Sequence, residues 1–267
     1  MTRLISFSAL ALAAFSAARV GSAQDDVHKV LQELREQARQ QPARTDLQLS
    51  LGNAAVLTQN YDEAITAFRA VLTALDSESP EAGDVQLRIG ETARRKGDLE
   101  TAAAALRRAS ALLPDNPVVP GTLALVLDSA GKFPEAEAAY RATLKLDPEN
   151  AVTLNNLGYL LAMHGGNLDE ALHLARAAQQ ADPDSLDIRD TLAVVYTRRG
   201  ELAASVPILV YLNGRDPANE GFRQHLATAL EQKTSRSDTE QQLVAALKAD
   251  PTPENQQQVA ELLKAMQ

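Results

Sequence analysis

The spacing of proline constrains this chain more than any other feature. Pro114, Pro148, Pro183, Pro217 and Pro251 recur 34, 35, 34 and 34 residues apart, and Asp147, Asp182, Asp216 and Asp250 precede four of them. Each follows a run rich in Leu and Ala. Proline cannot continue a helix interior, and it pushes the residue before it out of the α region, so each marks a helix end. Gly97, Gly131, Gly165 and Gly200 fall midway between the stops. Glycine supplies the left-handed turn that closes a helix. One period therefore holds two helices, a tight turn and a stop. A unit that small cannot bury its apolar faces alone, so it must stack on its neighbours.

Composition points the same way. Hydrophobic residues make up 45% of the 267 residues, but aromatics only 4%, with no Trp. Packing then falls to Ala and Leu, which favour helix over strand, and the fold class is all-α. Six units start at Thr45, Gly83, Pro117, Ala151, Leu186 and Glu220, covering 45–82, 83–116, 117–150, 151–185, 186–219 and 220–253. They share one pattern. The second unit carries Ile89-Gly90, Gly97, Ala102, Leu106, Ala109 and Pro114. The third carries Leu123-Ala124, Leu127, Gly131, Ala136, Tyr140 and Pro148, and the fourth Leu154, Leu157-Gly158, Leu161, Gly165, Ala171, Ala178 and Pro183. The fifth has Leu192-Ala193, Tyr196, Gly200, Leu209 and Pro217.

This pattern resembles the tetratricopeptide repeat. The resemblance implies a right-handed superhelical solenoid of antiparallel helix pairs, with the first helix of each pair lining a concave groove. Small residues at Gly52, Gly90, Ala124, Gly158, Ala193 and Ala227 would let the second helix pack closely. Two units depart from the pattern. The first reaches Pro80 four residues late, read as an extra turn on its second helix. The sixth turns through Lys233–Asp238 without glycine, a loop expected to be looser than the others. A helix over 25–41, within a half repeat at 24–44, places Val30, Leu34 and Pro42 where a second helix would. A capping helix at 254–267 offers Val259, Leu262 and Leu263 to the last unit.

Residues 1–23 read as a signal peptide: Arg3 near the start, an apolar run at Leu4–Ala18, and Gly21-Ser22-Ala23 before the acidic Gln24-Asp25-Asp26. The apolar run is shorter than the roughly 20 residues of a spanning helix, so cleavage after Ala23 and export to the periplasm or beyond are expected, with no membrane span left. The formal charge is −9, and loss of Arg3 and Arg19 leaves 24 basic against 35 acidic residues, or −11. An acidic chain repels phosphate backbones, which argues against nucleic-acid binding. The chain has no cysteine, which excludes disulfides, thiolate metal sites and a Cys nucleophile.

Candidate chemistry dissolves into the repeat. Asp62-Glu63, Asp169-Glu170 and Glu135 recur at one place in the frame, the first turn of a second helix, where acids suit the helix dipole. Asn60 with Glu63, and Asn167 with Glu170, have capping-box spacing. His28, His164, His173 and His225 include no pair at the three- or four-residue spacing of a helical metal site, and read as surface or turn residues. Gly165-Gly166 lacks the strand and lysine of a phosphate loop. No catalytic, cofactor or metal residue is assigned.

What the resemblance leaves is a groove that holds a protein or peptide partner. By the frame its floor includes Leu49, Asn53, Arg88, Glu91, Arg95, Thr122, Leu125, Asn155, Asn156, Tyr159, Asp190, Val194 and Arg198, with a basic cluster at Arg88, Arg94 and Arg95. Alternating amide, charged and apolar groups suit an extended peptide or a helix. The family's two-carboxylate clamp would need Lys, Asn, Asn, Lys and Arg, and of Leu49, Asn53, Arg88, Val118 and Thr122 only Asn53 matches. The expectation is a non-catalytic scaffold or adaptor in envelope assembly or export. The competing readings are a self-assembling repeat protein (a homo-oligomer) and a non-catalytic subunit of an envelope enzyme.

Overall fold

Prolines and their flanking polar residues punctuate the chain twice, as stops and as starts. Asp147, Asp182 and Asp216 end helices by leaving the α region, at φ −137°, −138° and −139°, each just before proline. Two residues after that proline, the side chains of Asn150, Ser185 and Asn219 accept from the backbone N–H groups of Thr153, Ile188 and Phe222, capping the next helix. The three glycines Gly131, Gly165 and Gly200 and their counterpart Gly97 all hold positive φ, 71° to 86°, with open space around them. Gln59 stands at the same place in the first pair, at φ 60°.

The computed structural model describes residues 20–235 and 237–266, with side-chain surroundings from Val27 onward. Within these residues there are helices and turns and no strand. One compact unit runs to Pro114 and a second from Asp115. The first contains α1 (Val20–Gln40), α2 (Thr45–Leu57), α3 (Tyr61–Leu72), α4 (Pro80–Lys96) and α5 (Leu99–Leu112). The second contains α6 (Val118–Ser129), α7 (Phe133–Leu146), α8 (Ala151–Met163), α9 (Leu168–Ala181), α10 (Leu186–Arg198), α11 (Leu202–Arg215), α12 (Glu220–Glu231), α13 (Asp238–Lys248) and α14 (Pro253–Ala265). In each unit consecutive helices pack as hairpins, and in the second α8, α10 and α12 also touch in series. The architecture is an all-α stack of helix pairs, the solenoid type.

Close packing inside a pair depends on the small residue of its first helix. A Cβ on Gly52 would lie 2.4 Å from Phe68 Cε1, and one on Gly90 2.5 Å from Leu106 Cγ. Phe68 and Leu106 fill that space instead and are buried. Burying a side chain of this size stabilises by about 1.5–3 kcal/mol. The second unit has two apolar clusters, one around Leu127, Tyr140, Leu157 and Leu192, the other around Leu209, Leu226, Leu230 and Leu243.

Several local expectations change. α3 ends at Leu72, so the four extra residues of the first repeat do not lengthen it. The longer period is taken up by the connection 73–79 and by α4, which starts at Pro80 and runs for 17 residues. Ser79 accepts from Ala82 N and proline takes the first turn, a pairing that starts a helix rather than ending one. Val30 is exposed, and α1 turns Leu31 and Ala38 inward. The glycine-free turn before α13 is tied at the described residues on its two sides. Ser237 Oγ accepts from Glu240 N, Glu240 Oε2 accepts from Ser237 N at 2.8 Å, and Lys233 reaches the same carboxylate at 2.5 Å. Asn60 makes no cap bond to α3, since its amide donates to Thr58 Oγ1 instead. The signal peptide expected at 1–23 lies outside the described residues except for its last four, which fall in α1.

Candidate partner-binding surface

The acids at the second-helix starts are cross-links as well as helix-dipole partners. Arg35 donates to both oxygens of Glu63 at 2.7 Å, and Lys96 reaches Asp62 at 2.5 Å. In the second unit Arg141 bonds Glu170 at 2.7 Å and Arg199 bonds Asp169. Asn167 does cap α9, accepting from Asp169 N and Glu170 N, but Glu170 turns to Arg141 rather than completing a box. These pairs join neighbouring hairpins, and at such exposure solvent screens them strongly.

In the first unit the candidate residues lie on α2 and α4. Arg88 Nη1 donates to Asn53 Oδ1 at 3.2 Å across one repeat, and both side chains are exposed. Leu49 and Glu91 are half-buried, while Arg94 and Arg95 are exposed. The structure thus brings Asn53 and Arg88 together as one polar contact beside a basic edge.

In the second unit the candidates are more tightly organised. Asn155 and Asn156 on α8 are half-buried, and Asn155 Nδ2 donates to Asn156 Oδ1 at 3.3 Å. Asn155 Oδ1 is buried and accepts from no donor among the described residues. Below them Tyr140 donates its hydroxyl to Asp128 Oδ2 at 3.2 Å. Burial and the Asp128 charge push that hydroxyl well above the usual phenol range, so it stays a donor. Tyr159 is shifted the same way, first by burial and then by the Asp190 carboxylate. Its ring lies 6.3 Å from that of His225.

Asp190 and His225 form the feature that the sequence reading missed. Asp190 is buried, and His225 Nδ1 lies 2.9 and 2.8 Å from its two oxygens. The residues are 35 apart, one repeat, on the first helices α10 and α12. Searching histidines at helical spacing could not find this pair, but matching frame positions between units could. Arg198 lies exposed, with Nη2 3.2 Å from Met163 Sδ. Two expected floor residues fall away: Val194 is buried, and half-buried Leu125 packs against the core. Thr122 spends its hydroxyl on the Val118 carbonyl of its own helix. His164 stacks on Phe133, with ring centroids 3.4 Å apart. Among the described residues no three His, Asp or Glu side chains converge as metal ligands.

A family model described as tetratricopeptide repeat matches residues 8–80, 49–117 and 122–185. A TPR repeat-containing protein of Pseudomonas aeruginosa is 26% identical over 178 residues, covering 66% of this chain and 28% of that protein. Cellulose synthase operon protein C of Xanthomonas axonopodis pv. citri is 42% identical over 87 residues, which is 32% of this chain and 6% of its own length. The chain thus spans less than a third of either relative. Among solved structures, a tetratricopeptide repeat protein from Parabacteroides merdae has TM-score 0.65 at 15% identity, over 82% of this chain and 98% of that one. YrrB, described as a TPR protein with an unusual peptide-binding site, has TM-score 0.59 at 18% identity, over 72% and 96%. At these identities the structural likeness speaks to the fold alone.

Proposed function

The chain belongs to the tetratricopeptide repeat family, and from that premise we propose that it is a non-catalytic scaffold whose α8–α10–α12 surface holds an extended segment of a partner protein. The observation that carries this reading is the polar row of half-buried Asn155, Asn156, Tyr159 and His225, joined by the buried Asp190. The half-buried Asn155 and Asn156 amides suit a partner's backbone groups, and Tyr159 offers an aromatic platform with a hydroxyl donor. The family's members serve as interaction modules, and YrrB's description names a peptide-binding site in that protein.

The setting we propose is the cell envelope, reached through the leader at 1–23, in assembly or export. The stretch shared with cellulose synthase operon protein C is compatible with it. The formal charge of −9 favours protein over nucleic acid as partner. The test is crosslinking mass spectrometry on the exported fraction, comparing the native chain with Asn155→Ala and Tyr159→Ala. A partner crosslinked near α8 and α10, and lost in both variants, is the expected result. Recovery of the same proteins from all three samples would overturn the groove assignment. Mass analysis of the exported chain should give a start at Gln24.

A further inference from the structure

Arg35, Arg69 and Arg141 share one place in the repeat, directly after the large Leu34, Phe68 and Tyr140 of a second helix. Glu63, Thr101 and Glu170 share another, directly before the small Ala64, Ala102 and Ala171 of the next second helix. The first and last of these pairs are joined. Arg35 donates to both oxygens of Glu63 at 2.7 Å, and Arg141 Nη2 donates to Glu170 at 2.7 Å. The middle pair is not, because Thr101 stands where the acid belongs. The Arg69 guanidinium makes no hydrogen bond or ion pair among the described residues, and its charge acts only at longer range on the Asp98 cap. The second unit repairs a similar break. There Ala204 takes the acid's place, and Arg176 donates instead to the Tyr196 hydroxyl at 3.1 Å. Arg69 has no such substitute.

The break coincides with a cavity of about 310 Å³ between α3 and α5, with α4 beneath. Arg69 and Thr101 both line it, and Leu72, Ile89 and Ala105 give it apolar surface. The charged groups in its lining are cations, Arg69 and Arg108, although the whole chain is at −9. Arg108 is already engaged through Nη2 by Glu78 and the Ser77 carbonyl, so Arg69 is the open charge. The cavity therefore asks for a carboxylate at Arg69 and an apolar body beside it. A cation is repelled by both guanidinium groups. A bare inorganic anion meets Arg69 but leaves the apolar surface wet. A carboxylate on a short alkyl chain meets both, and its two oxygens match the guanidinium fork.

We propose that the cavity between α3 and α5 is a binding site for a small organic carboxylate. Its oxygens take at Arg69 the place that the Glu63 carboxylate takes at Arg35, and the Thr101 hydroxyl donates to one of them. Its alkyl chain covers Leu72, Ile89 and Ala105. The site lies in the first compact unit and uses no residue of the polar row on α8, α10 and α12, so it stands or falls independently of that reading.

The test is an amide proton–nitrogen NMR titration of the full chain with hexanoate, acetate, hexylamine and inorganic phosphate. Hexanoate should shift the signals of Thr101, Ala105 and the Arg69 side chain. Acetate should bind about tenfold more weakly, since burying about two methylenes is worth that factor. Hexylamine and phosphate should leave these signals in place at the same concentration. Arg69→Gln should weaken hexanoate about tenfold, the loss of one charged fork. Arg95→Gln, an equal charge change at an exposed residue outside the cavity, should leave affinity unchanged. Thr101→Glu supplies the missing acid from within the chain and should abolish binding without lowering the melting temperature. If that variant melts early by circular dichroism, Arg69→Gln against Arg95→Gln decides alone. Hexanoate binding that survives in a folded Thr101→Glu chain, equal losses from the two arginine variants, acetate or phosphate binding as well as hexanoate, or no shift with hexanoate would each overturn the proposal.

Discussion

A Cβ added at Gly158 would stand 3.2 Å from the Ala171 carbonyl oxygen and 3.4 Å from Ala175 N, both backbone atoms of the partner helix that cannot step aside. A Cβ at Gly214, also helical, meets nothing within 4 Å. Gly158→Ala should therefore destabilise by about 1–3 kcal/mol through overpacking, whereas Gly214→Ala should stabilise by up to about 1 kcal/mol through helix propensity. Urea midpoints for the two variants check the opposite signs. At the same scale, His225→Ala removes the donor from a buried carboxylate. We expect a loss of about 1–3 kcal/mol, largely recovered when Asp190→Asn is combined with it, because the amide carries no charge to strand. The double-variant cycle by chemical denaturation reads that coupling directly.

Elements here are set by their ends, and two ends titrate. Asp98 caps α5, and the Thr101 backbone N–H, its chief partner, holds its carboxyl below the usual carboxylate range. Glu240 in the box before α13 is lowered likewise, first by Lys233. A folded pKa below the unfolded one means stability that is complete above the ordinary carboxylate value, about 4, and lost as pH falls through the folded value. Stability should therefore be flat near neutrality and decline below about pH 4–5. Asp98→Asn keeps an acceptor for Thr101 N and should flatten part of that decline, visible in thermal melts between neutral and acid pH. An unchanged acid profile in this variant would remove Asp98 from the account. The helix starts at Asn150, Ser185 and Asn219 follow equally local rules, since each lies two residues beyond an Asp-Pro stop.

At the scale of the molecule, stability in a stacked array is a sum over neighbours rather than the property of one core. Leu157 is buried at the centre of the cluster shared by α6–α10. Leu157→Ala should cost about 2–5 kcal/mol. Hydrogen exchange should locate that loss in α6–α10 and leave α2–α5, a separate compact unit, at native protection. Uniform loss of protection along the chain would mean cooperative behaviour that a nearest-neighbour array does not have.

The repeat, the all-α class and the helix pairs were legible because they depend on local covalent facts. Proline ends a helix wherever it falls, glycine turns left-handed without strain, and a small residue recurs where two helices must touch. The shift of extra length from α3 to α4 was equally local, but it required reading Ser79-Pro80 as a start instead of a stop. Candidate surface residues were legible only by frame, which names a position on a helix and not what faces it. So Asn155, Asn156 and Tyr159 lie half-buried on α8, while Val194 is buried and Leu125 packs against the core. Frame matching names the positions of Asp190 and His225, one repeat apart, but their contact was decided by tertiary structure. Whether a charge is buried and what meets it there depend on the packing of α10 against α12, which no local stretch of sequence contains.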